Sequence, residues 1–255
     1  VTPVKNERLD QAFRAIRQEA EKRRKAFTEA PVPKIHIGMA TCGIASGALE
    51  TKKAFEQALD ERNIEARIHT VGCLGHCYAE PVVIIEHPDS GFPPIFYHEV
   101  TPGKAQMLVK LFLEGGDPRF EHVYGATEDN DLIPSVMEFA RFNQEKRVVM
   151  EKSGHIDPED IYDYIASGGY STLVKALKLN PEEIISEVQR SGLRGRGGSG
   201  FPTGRKWDLA KSSGEHEKIV ICNADEGDPG AYMDRTIIES NPHQVIEGMA
   251  ICAYA

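Results

Sequence analysis

Ile35-His36-Ile37 is followed by Thr41-Cys42-Gly43-Ile44-Ala45-Ser46-Gly47-Ala48 and then by the run Leu49 to Leu59. The first stretch reads as a strand, the second as a loop of small residues carrying a thiol, and the third as a helix. Glu65 to Thr70 alternates as a second strand. Val82 to Glu86 and Ile95 to Tyr97 read as two more, separated by the turn residues His87-Pro88-Asp89-Ser90-Gly91. Ala105 to Leu113 reads as a closing helix, stopped by Gly115-Gly116. The element order is therefore βα–β–ββα.

That order is the one found in a thioredoxin-like fold, to which residues 31–120 are assigned. Residues 1–30 form an N-terminal segment whose stretch 6–29 reads as a charged helix, with Leu9, Phe13, Ile16 and Ala20 on one face. Pro31 and Pro33 close it. Residues 121–150 read as a linker, with one helical pattern around Val136 to Phe142. In residues 151–255, helix starts are expected at Asp157-Pro158-Glu159-Asp160 and at Asn180-Pro181-Glu182-Glu183. A short buried strand is expected at Lys218-Ile219-Val220-Ile221. The expected class is α/β.

With 255 residues, 40% of them hydrophobic, the chain is long enough for one large or two ordinary domains. A net charge of −9 argues against nonspecific nucleic-acid binding, which needs a basic surface. The sequence has no apolar run of membrane length, so no membrane span is expected. The five cysteines are odd in number and unevenly spaced, unlike a secreted disulfide framework, and point to a reducing cytoplasm. The histidines form no triad-like pattern, and hydrolytic chemistry has no support.

Gly192-Leu193-Arg194-Gly195-Arg196-Gly197-Gly198-Ser199-Gly200-Phe201-Pro202-Thr203-Gly204-Arg205-Lys206-Trp207 carries the chemistry of the C-terminal part. Glycines let a ligand approach backbone N–H groups closely, and consecutive N–H groups make an anion-binding nest. Arg and Lys add charge for phosphate. Phe201-Pro202 adds an aromatic face, so the loop suits a phosphorylated, flat, aromatic cofactor. It lacks the Gly-Lys-Ser/Thr ending of a Walker loop. A flexible glycine linker is the bland alternative, but linkers rarely carry Phe, Trp and several cations in so short a run. A second cluster, Cys222-Asn223-Ala224-Asp225-Glu226-Gly227-Asp228-Pro229-Gly230-Ala231-Tyr232-Met233-Asp234-Arg235, follows the expected strand. Its carboxylates and amide suit ribose or flavin N–H groups, and a capped turn is its bland alternative.

Cys73-Leu74-Gly75-His76-Cys77 is a CxxxC pair, and Cys42 lies in its own small-residue loop. Thiolates on such loops are natural ligands for an iron–sulfur cluster. A Cys₃His zinc site with His76 would have poor spacing. Cys222, at the end of the expected strand, and Cys252, on an apolar helix face, read as small hydrophobes without a ligand role.

The two motifs SGLRGRGGSGFPTGRKW and CNADEGDPGAYMDR, in this order, closely resemble the flavin-bearing NADH-oxidising subunit of respiratory complex I and its soluble relatives. Those relatives are the diaphorase subunits of NAD-linked, bifurcating [FeFe]-hydrogenases and formate dehydrogenases; Gly227 and Asp228 favour this soluble branch. The resemblance extends to Asp163-Tyr164-Ile165-Ala166-Ser167-Gly168-Gly169-Tyr170 and to Pro242-His243-Gln244-Val245-Ile246-Glu247-Gly248-Met249. It implies that residues 151–255 are the start of a Rossmann-like FMN/NADH-binding domain continuing beyond Ala255, with a [4Fe–4S] site further on. It implies a loop of Gly195, Arg196, Gly197, Gly198, Gly200, Phe201 and Gly204 against FMN and NAD. Phe201 would face the adenine, Lys206 would lie near the ribityl-phosphate, Asn223, Asp225 and Glu226 would bond the flavin, and Asp228 would contact the nicotinamide. Leu209 replaces an aromatic often found there. No general base is needed, so no catalytic residue is assigned.

The first domain resembles the thioredoxin-like [2Fe–2S] domain that accompanies these subunits, with Cys42, Cys73 and Cys77 as cluster ligands. That family uses a CxxxxC pair and then a CxxxC pair. Here Gly38 takes the first position, and Cys42 stands one residue before the second, Gly43. His36, His76, water or a residue of another subunit are candidates for the fourth ligand. The implied partners are iron–sulfur and catalytic subunits of a multisubunit oxidoreductase, with ferredoxin as a second partner if electrons are bifurcated. The alternative is a clusterless docking module joining the flavin domain to partner subunits.

Overall fold

The computed structural model describes residues 7–140, 142–214 and 217–255. Asn6, at the head of the expected first helix, lies outside them. The chain divides into two compact units. One comprises Arg24–Asp160 with Asp228–Asn241; the other comprises the residues up to Arg23 with Ile161–Gly227 and Pro242–Ala255.

The first unit is built on a five-stranded sheet of β1 (Lys34–Gly38), β2 (Arg67–Val71), β3 (Val83–Glu86), β4 (Ile95–Tyr97) and β5 (Val123–Ala126), in the order β2-β1-β3-β4-β5. β1 and β2 run parallel, from Lys34 opposite Arg67 to Gly38 opposite Val71. The remaining neighbours are antiparallel, with an irregularity at Phe96/Tyr97 where β4 meets β5. A parallel pair needs a crossover, and α2 (Thr41–Ala45) with α3 (Ala48–Arg62) supplies it. Asn63 ends α3 in the left-handed region at φ 54°, a conformation Asn tolerates. α4 (Pro102–Leu108) begins with Thr101 accepting from Lys104 N–H at 3.3 Å and Pro102 in the first turn. It continues as a wider π turn, Val109–Leu113.

Alternation along the strands splits the core in two. Ile35, Ile37, Val83, Ile85 and Tyr97 face Phe55 and Leu59 of α3 and Leu108 and Phe112. Ile84 and Phe96 face the other way, onto Leu74, Val82, Val136 and Phe139. Tyr97 is fully buried, yet its hydroxyl donates to Pro118 C=O at 2.7 Å, so the polar tip is satisfied. Lys34 is likewise buried and pairs with Glu86 at 2.6 Å.

The expected βα–β–ββα order is present, and this strand arrangement is thioredoxin-like. Two differences concern residues 121–150. Val123–Ala126, expected within the linker, pairs with β4 as the edge strand β5. Its Gly125 is required because Val136 Cγ1 lies 2.6 Å from where a Cβ would stand. Among the described residues of the helical pattern expected around Val136 to Phe142, a 3₁₀ turn forms at Val136–Glu138, and Val136 and Phe139 cover the second sheet face. Asp157, expected to cap a helix, accepts from Glu159 N–H at 2.9 Å and from the Thr70 hydroxyl at 2.6 Å, and the helix starts later.

The second unit is helical among its described residues. It holds most of α1 (Glu7–Thr28), together with α5 (Ile161–Ala166), α6 (Ser171–Ala176), α7 (Pro181–Arg190), α8 (Thr203–Ser212) and α10 (Pro242–Tyr254). α7 starts as expected, with Glu183 accepting from Asn180 N–H at 2.7 Å. Glu247 of α10 is buried and accepts from the Tyr164 hydroxyl at 2.5 Å, Tyr170 N–H at 2.8 Å and Leu173 N–H at 3.0 Å. It thereby ties α5, the head of α6 and α10 together. Burial, reinforced by Glu247, holds the Tyr164 hydroxyl above the ordinary tyrosine range.

The buried strand expected at Lys218–Ile221 is not formed. The segment carries no regular secondary structure, and Ile219 and Ile221 are 76% and 78% exposed. An apolar run becomes a strand only where a second strand takes its N–H and C=O groups. Among the described residues of this unit there is no strand to do so, and the Rossmann-like sheet expected after residue 151 is not seen. Cys222 is accordingly exposed, not buried at a strand end, and Cys252 is half-buried. No helix among the described residues is long and apolar enough to cross a membrane.

Replacing Phe55 by Ala removes a fully buried ring between α3 and β1. A loss of about 3–5 kcal/mol is expected, read as a lower urea midpoint with an unchanged slope.

Candidate functional site

The first candidate region lies at one end of the sheet. β1 ends at Gly38 and leads into α2, which carries Cys42; β2 ends at Val71 and leads into the loop with Cys73 and Cys77. Gly75, at φ 86°, turns that loop and donates its N–H to the Cys73 sulfur at 3.3 Å. The Cys77 thiol lies close enough to those of Cys42 and Cys73 to act on their ionisation. The three sequence-predicted cysteines are thus brought together. Burial pushes the Cys42 thiol up, and the neighbouring Cys77 adds to it; burial likewise pushes Cys73 up, against the Gly75 N–H. Raised in this way, the Cys42 and Cys73 thiols favour the protonated form. A metal centre binds by displacing those protons.

Both histidine candidates for a fourth ligand make contacts elsewhere. His36 Nδ1 lies 3.1 Å from His69 Nδ1, and buried His76 places its Nδ1 3.1 Å from the Tyr124 hydroxyl with its ring against Phe142. The neighbour that sequence reading missed is Glu80, which is buried and accepts from Val82 N–H at 2.7 Å. Burial pushes its carboxyl up to about 7, against the pull of that N–H. Among the described residues, no three His, Cys, Asp or Glu side chains gather as a single metal ion requires. A two-iron cluster makes a different demand, two donors on each iron. Three neighbouring thiols are the right chemistry for it and leave it one donor short.

The same unit contains α9 (Met233–Ser240), which lies across both cysteine loops. Glu239 accepts from Thr41 N–H at 3.1 Å and from the Thr41 hydroxyl. Fully buried Ser240 accepts from Cys73 N–H at 3.0 Å. Arg235 places Nη2 3.8 Å from the Cys42 sulfur. Gly72 has to be glycine, because a Cβ there would stand 2.5 Å from Ser240 Cα. Arg235 was visible as the end of the second motif, but nothing in its spacing showed that it would meet a cysteine.

The second candidate region is the glycine loop between α7 and α8. Gly195 N–H donates to Phe201 C=O at 2.8 Å and Thr203 N–H to Leu193 C=O at 2.9 Å, closing the loop at its base. Arg194 Nε donates to Gly200 C=O at 2.6 Å, and Arg196 Nη1 to Arg194 C=O at 2.7 Å. Gly198 and Gly200 take φ of 101° and 63°, which side-chain-bearing residues avoid. Nothing lies within 4 Å of a Cβ built on Gly197 or Gly198, so backbone N–H groups at the tip are open to a ligand. The loop ends at the N-terminus of α8, where an anion is favoured. Exposed Phe201 stands beside Arg205, whose guanidinium lies 5.8 Å from the ring centre, and Lys206 is exposed on α8. The donor set of amides, cations and an aromatic face fits a flavin phosphate cofactor.

Gly204 differs from the others. A Cβ there would stand 2.6 Å from Gln189 N, so it is the contact point of α8 on α7. Asn223, Asp225 and Glu226 lie in irregular, largely exposed chain, with Asp225 N–H donating to Asn223 Oδ1 at 3.0 Å. Asp228 belongs to the sheet unit.

Residues 188–255 match the family described as the Nuo51 FMN-binding domain, and the resemblance drawn from the two motifs is borne out there. The chain is 53% identical over 109 residues to the NADP-reducing hydrogenase subunit HndC of Solidesulfovibrio fructosivorans, covering 43% of this chain and 22% of that protein. It is 32% identical over 183 residues to the NAD-reducing hydrogenase HoxS subunit alpha of Cupriavidus necator, covering 72% of this chain and 27% of that one. Among solved structures, the thioredoxin-like [2Fe–2S] ferredoxin of Aquifex aeolicus aligns with a TM-score of 0.32 at 21% identity, over 36% of this chain and 96% of that one. The chain spans about a quarter of the length of these curated relatives.

Ser240→Ala leaves the Cys73 N–H without its acceptor in a fully buried position. A cost of about 1–3 kcal/mol is expected, with faster hydrogen exchange at the Cys73 amide.

Proposed function

We propose that the chain works in a diaphorase-type electron-transfer subunit that exchanges hydride between NAD(H) and FMN and passes single electrons to iron–sulfur centres. The observation that carries this reading is the open glycine loop at Gly197 and Gly198, inside the stretch that matches the Nuo51 FMN-binding domain. The names of the relatives, hydrogenase subunits that reduce NAD or NADP, support the nicotinamide partner.

FMN, when bound, supplies the step between two-electron and one-electron chemistry. The residues of this chain hold and orient. Backbone N–H groups of Gly197, Gly198 and Gly200 would face the cofactors, Gly195 closes the base of the loop through Phe201 C=O, and Arg196 and Lys206 would balance phosphate charge. Phe201 offers its face to adenine. Asn223, Asp225 and Glu226 bond the flavin, and Asp228 the nicotinamide end. Gly204 serves by packing α8 on α7, which sets the loop's base. Hydride transfer needs no proton relay, so the site is one of binding and stacking.

Cys42, Cys73 and Cys77 would hold a [2Fe–2S] cluster in the sheet unit, which when bound would supply a one-electron site. A [4Fe–4S] centre, partner iron–sulfur and catalytic subunits, and a cytoplasmic setting complete the reading. Ferredoxin as a second partner, with bifurcation, belongs to the soluble branch that Gly227 and Asp228 favour. A chain that reduced NAD from one donor at full rate with no coupling would remove the bifurcation part alone.

Anaerobic NADH titration of the full-length protein tests the core of the reading. Bleaching of a flavin band is expected, and no bleaching with NADH or NADPH would overturn it. Gly198→Val puts a branched side chain at φ 101° in the open loop. At least a tenfold loss of bound FMN is expected, with the far-UV spectrum retained.

A further inference from the structure

The cysteine face has three thiols where a two-iron cluster takes four donors, and the fold sets a carboxylate among them. Glu80 follows Cys77 on the same loop and is 8% exposed. The Val82 N–H is its one hydrogen-bond donor, and no cationic side chain pairs with it, among the described residues. A buried carboxylate held by a single amide is costly unless a cation completes its shell.

The space it occupies is informative. A Cβ on Gly38 would stand 3.2 Å from Glu80 Oε1 and 3.3 Å from Oε2. A Cβ on Gly43, the neighbour of Cys42, would stand 2.4 Å from Gly38 O and 3.2 Å from Glu80 Oε2. The carboxylate therefore borders the space into which side chains at 38 and 43 would extend, and these are the two positions at which a four-cysteine pattern places its first pair. His36 and His76 are held elsewhere, by His69 and by Tyr124.

We propose that Glu80 is the fourth donor of a Cys₃Glu [2Fe–2S] site completed by Cys42, Cys73 and Cys77. The assignment rests on the electron-transfer reading above and adds the ligand that reading lacks. Iron binding displaces the thiol protons and any proton held on the Glu80 carboxyl, which binds iron as its anion, and the displaced protons pass to solvent.

The test uses full-length protein prepared anaerobically, with iron and acid-labile sulfide assays, EPR of the reduced sample, and a thermal melt for folding. Glu80→Gln keeps the side-chain volume and an acceptor for the Val82 N–H but loses the anion. It is expected to lose about two irons and two sulfides per chain, as Cys73→Ser does. Glu80→Cys is expected to restore them with an EPR signal different from wild type, because oxygen has become sulfur on one iron. Wild-type iron content and an unchanged signal in Glu80→Gln would overturn the assignment while leaving the cluster in place. Loss in Glu80→Gln without recovery in Glu80→Cys would overturn it too, making Glu80 a structural carboxylate. Equal iron in Cys73→Ser and wild type would instead overturn the cluster reading itself.

Discussion

β1 is paired on both edges and covered on both faces, and the sheet unit hangs from that condition. Its residues Ile35 and Ile37 are fully buried. Its last residues still bond their neighbours: Gly38 N–H donates to Val82 C=O at 3.1 Å and Met39 N–H to Val71 C=O at 2.8 Å. Because β2 runs parallel to β1 and β3 antiparallel, the end of β1, the end of β2 and the approach to β3 share one edge of the sheet. Cys42, Cys73, Cys77 and Glu80 leave from those three places. Slipping β1 by one residue would turn Ile35 and Ile37 off the helix-covered face. The hydrophobic core thus fixes where the thiols stand.

Polar anchors do the corresponding work away from the sheet. α9 has few fully buried residues, and its place in the sheet unit is set by Glu239 on Thr41 and Ser240 on Cys73. These bonds satisfy the amides at the start of α2 and at the head of the CxxxC loop, which would be orphans if buried alone. Glu247 plays the same part among the helices, taking one hydroxyl and two backbone amides. Both devices sit in the stretch downstream of the glycine loop, so a segment read for cofactor chemistry also carries structural bonds.

What the sequence disclosed follows the range of the forces involved. The strands at Ile35, Val82 and Ile95, the helix after Ala48 and the cap at Asn180 rest on alternation, helical spacing and local hydrogen bonds, which neighbouring residues settle. β5 was not legible, because Val123–Ala126 is short, holds Gly125, and is a strand only by pairing with β4. The strand expected at Lys218–Ile221 erred in the opposite direction: its apolarity was real, but its ladder was not among the described residues. Of the sites, the cysteines and the glycine loop announced themselves by composition. Glu80, Arg235, Ser240 and Glu247 did not, since each acts on a residue far away in the chain.

Glycine shows most clearly why a site cannot be read from letters alone. At Gly72 and Gly204 the room left by the missing side chain is filled by another stretch of backbone, Ser240 in one case and Gln189 in the other. At Gly38 it is bordered by the oxygens of Glu80, and at Gly43 by the Gly38 carbonyl with a Glu80 oxygen beyond it. At Gly197 and Gly198 it stays open. The residue type is the same, and its lack of a Cβ is used for packing, for admitting a donor atom from the protein's own chain, and for admitting a ligand. Only the occupant of that space tells the three apart, and the occupant is chosen by the fold. A glycine facing open space beside cations points outward to a cofactor; a glycine facing a buried carboxylate points inward, to the atom that has taken a side chain's place.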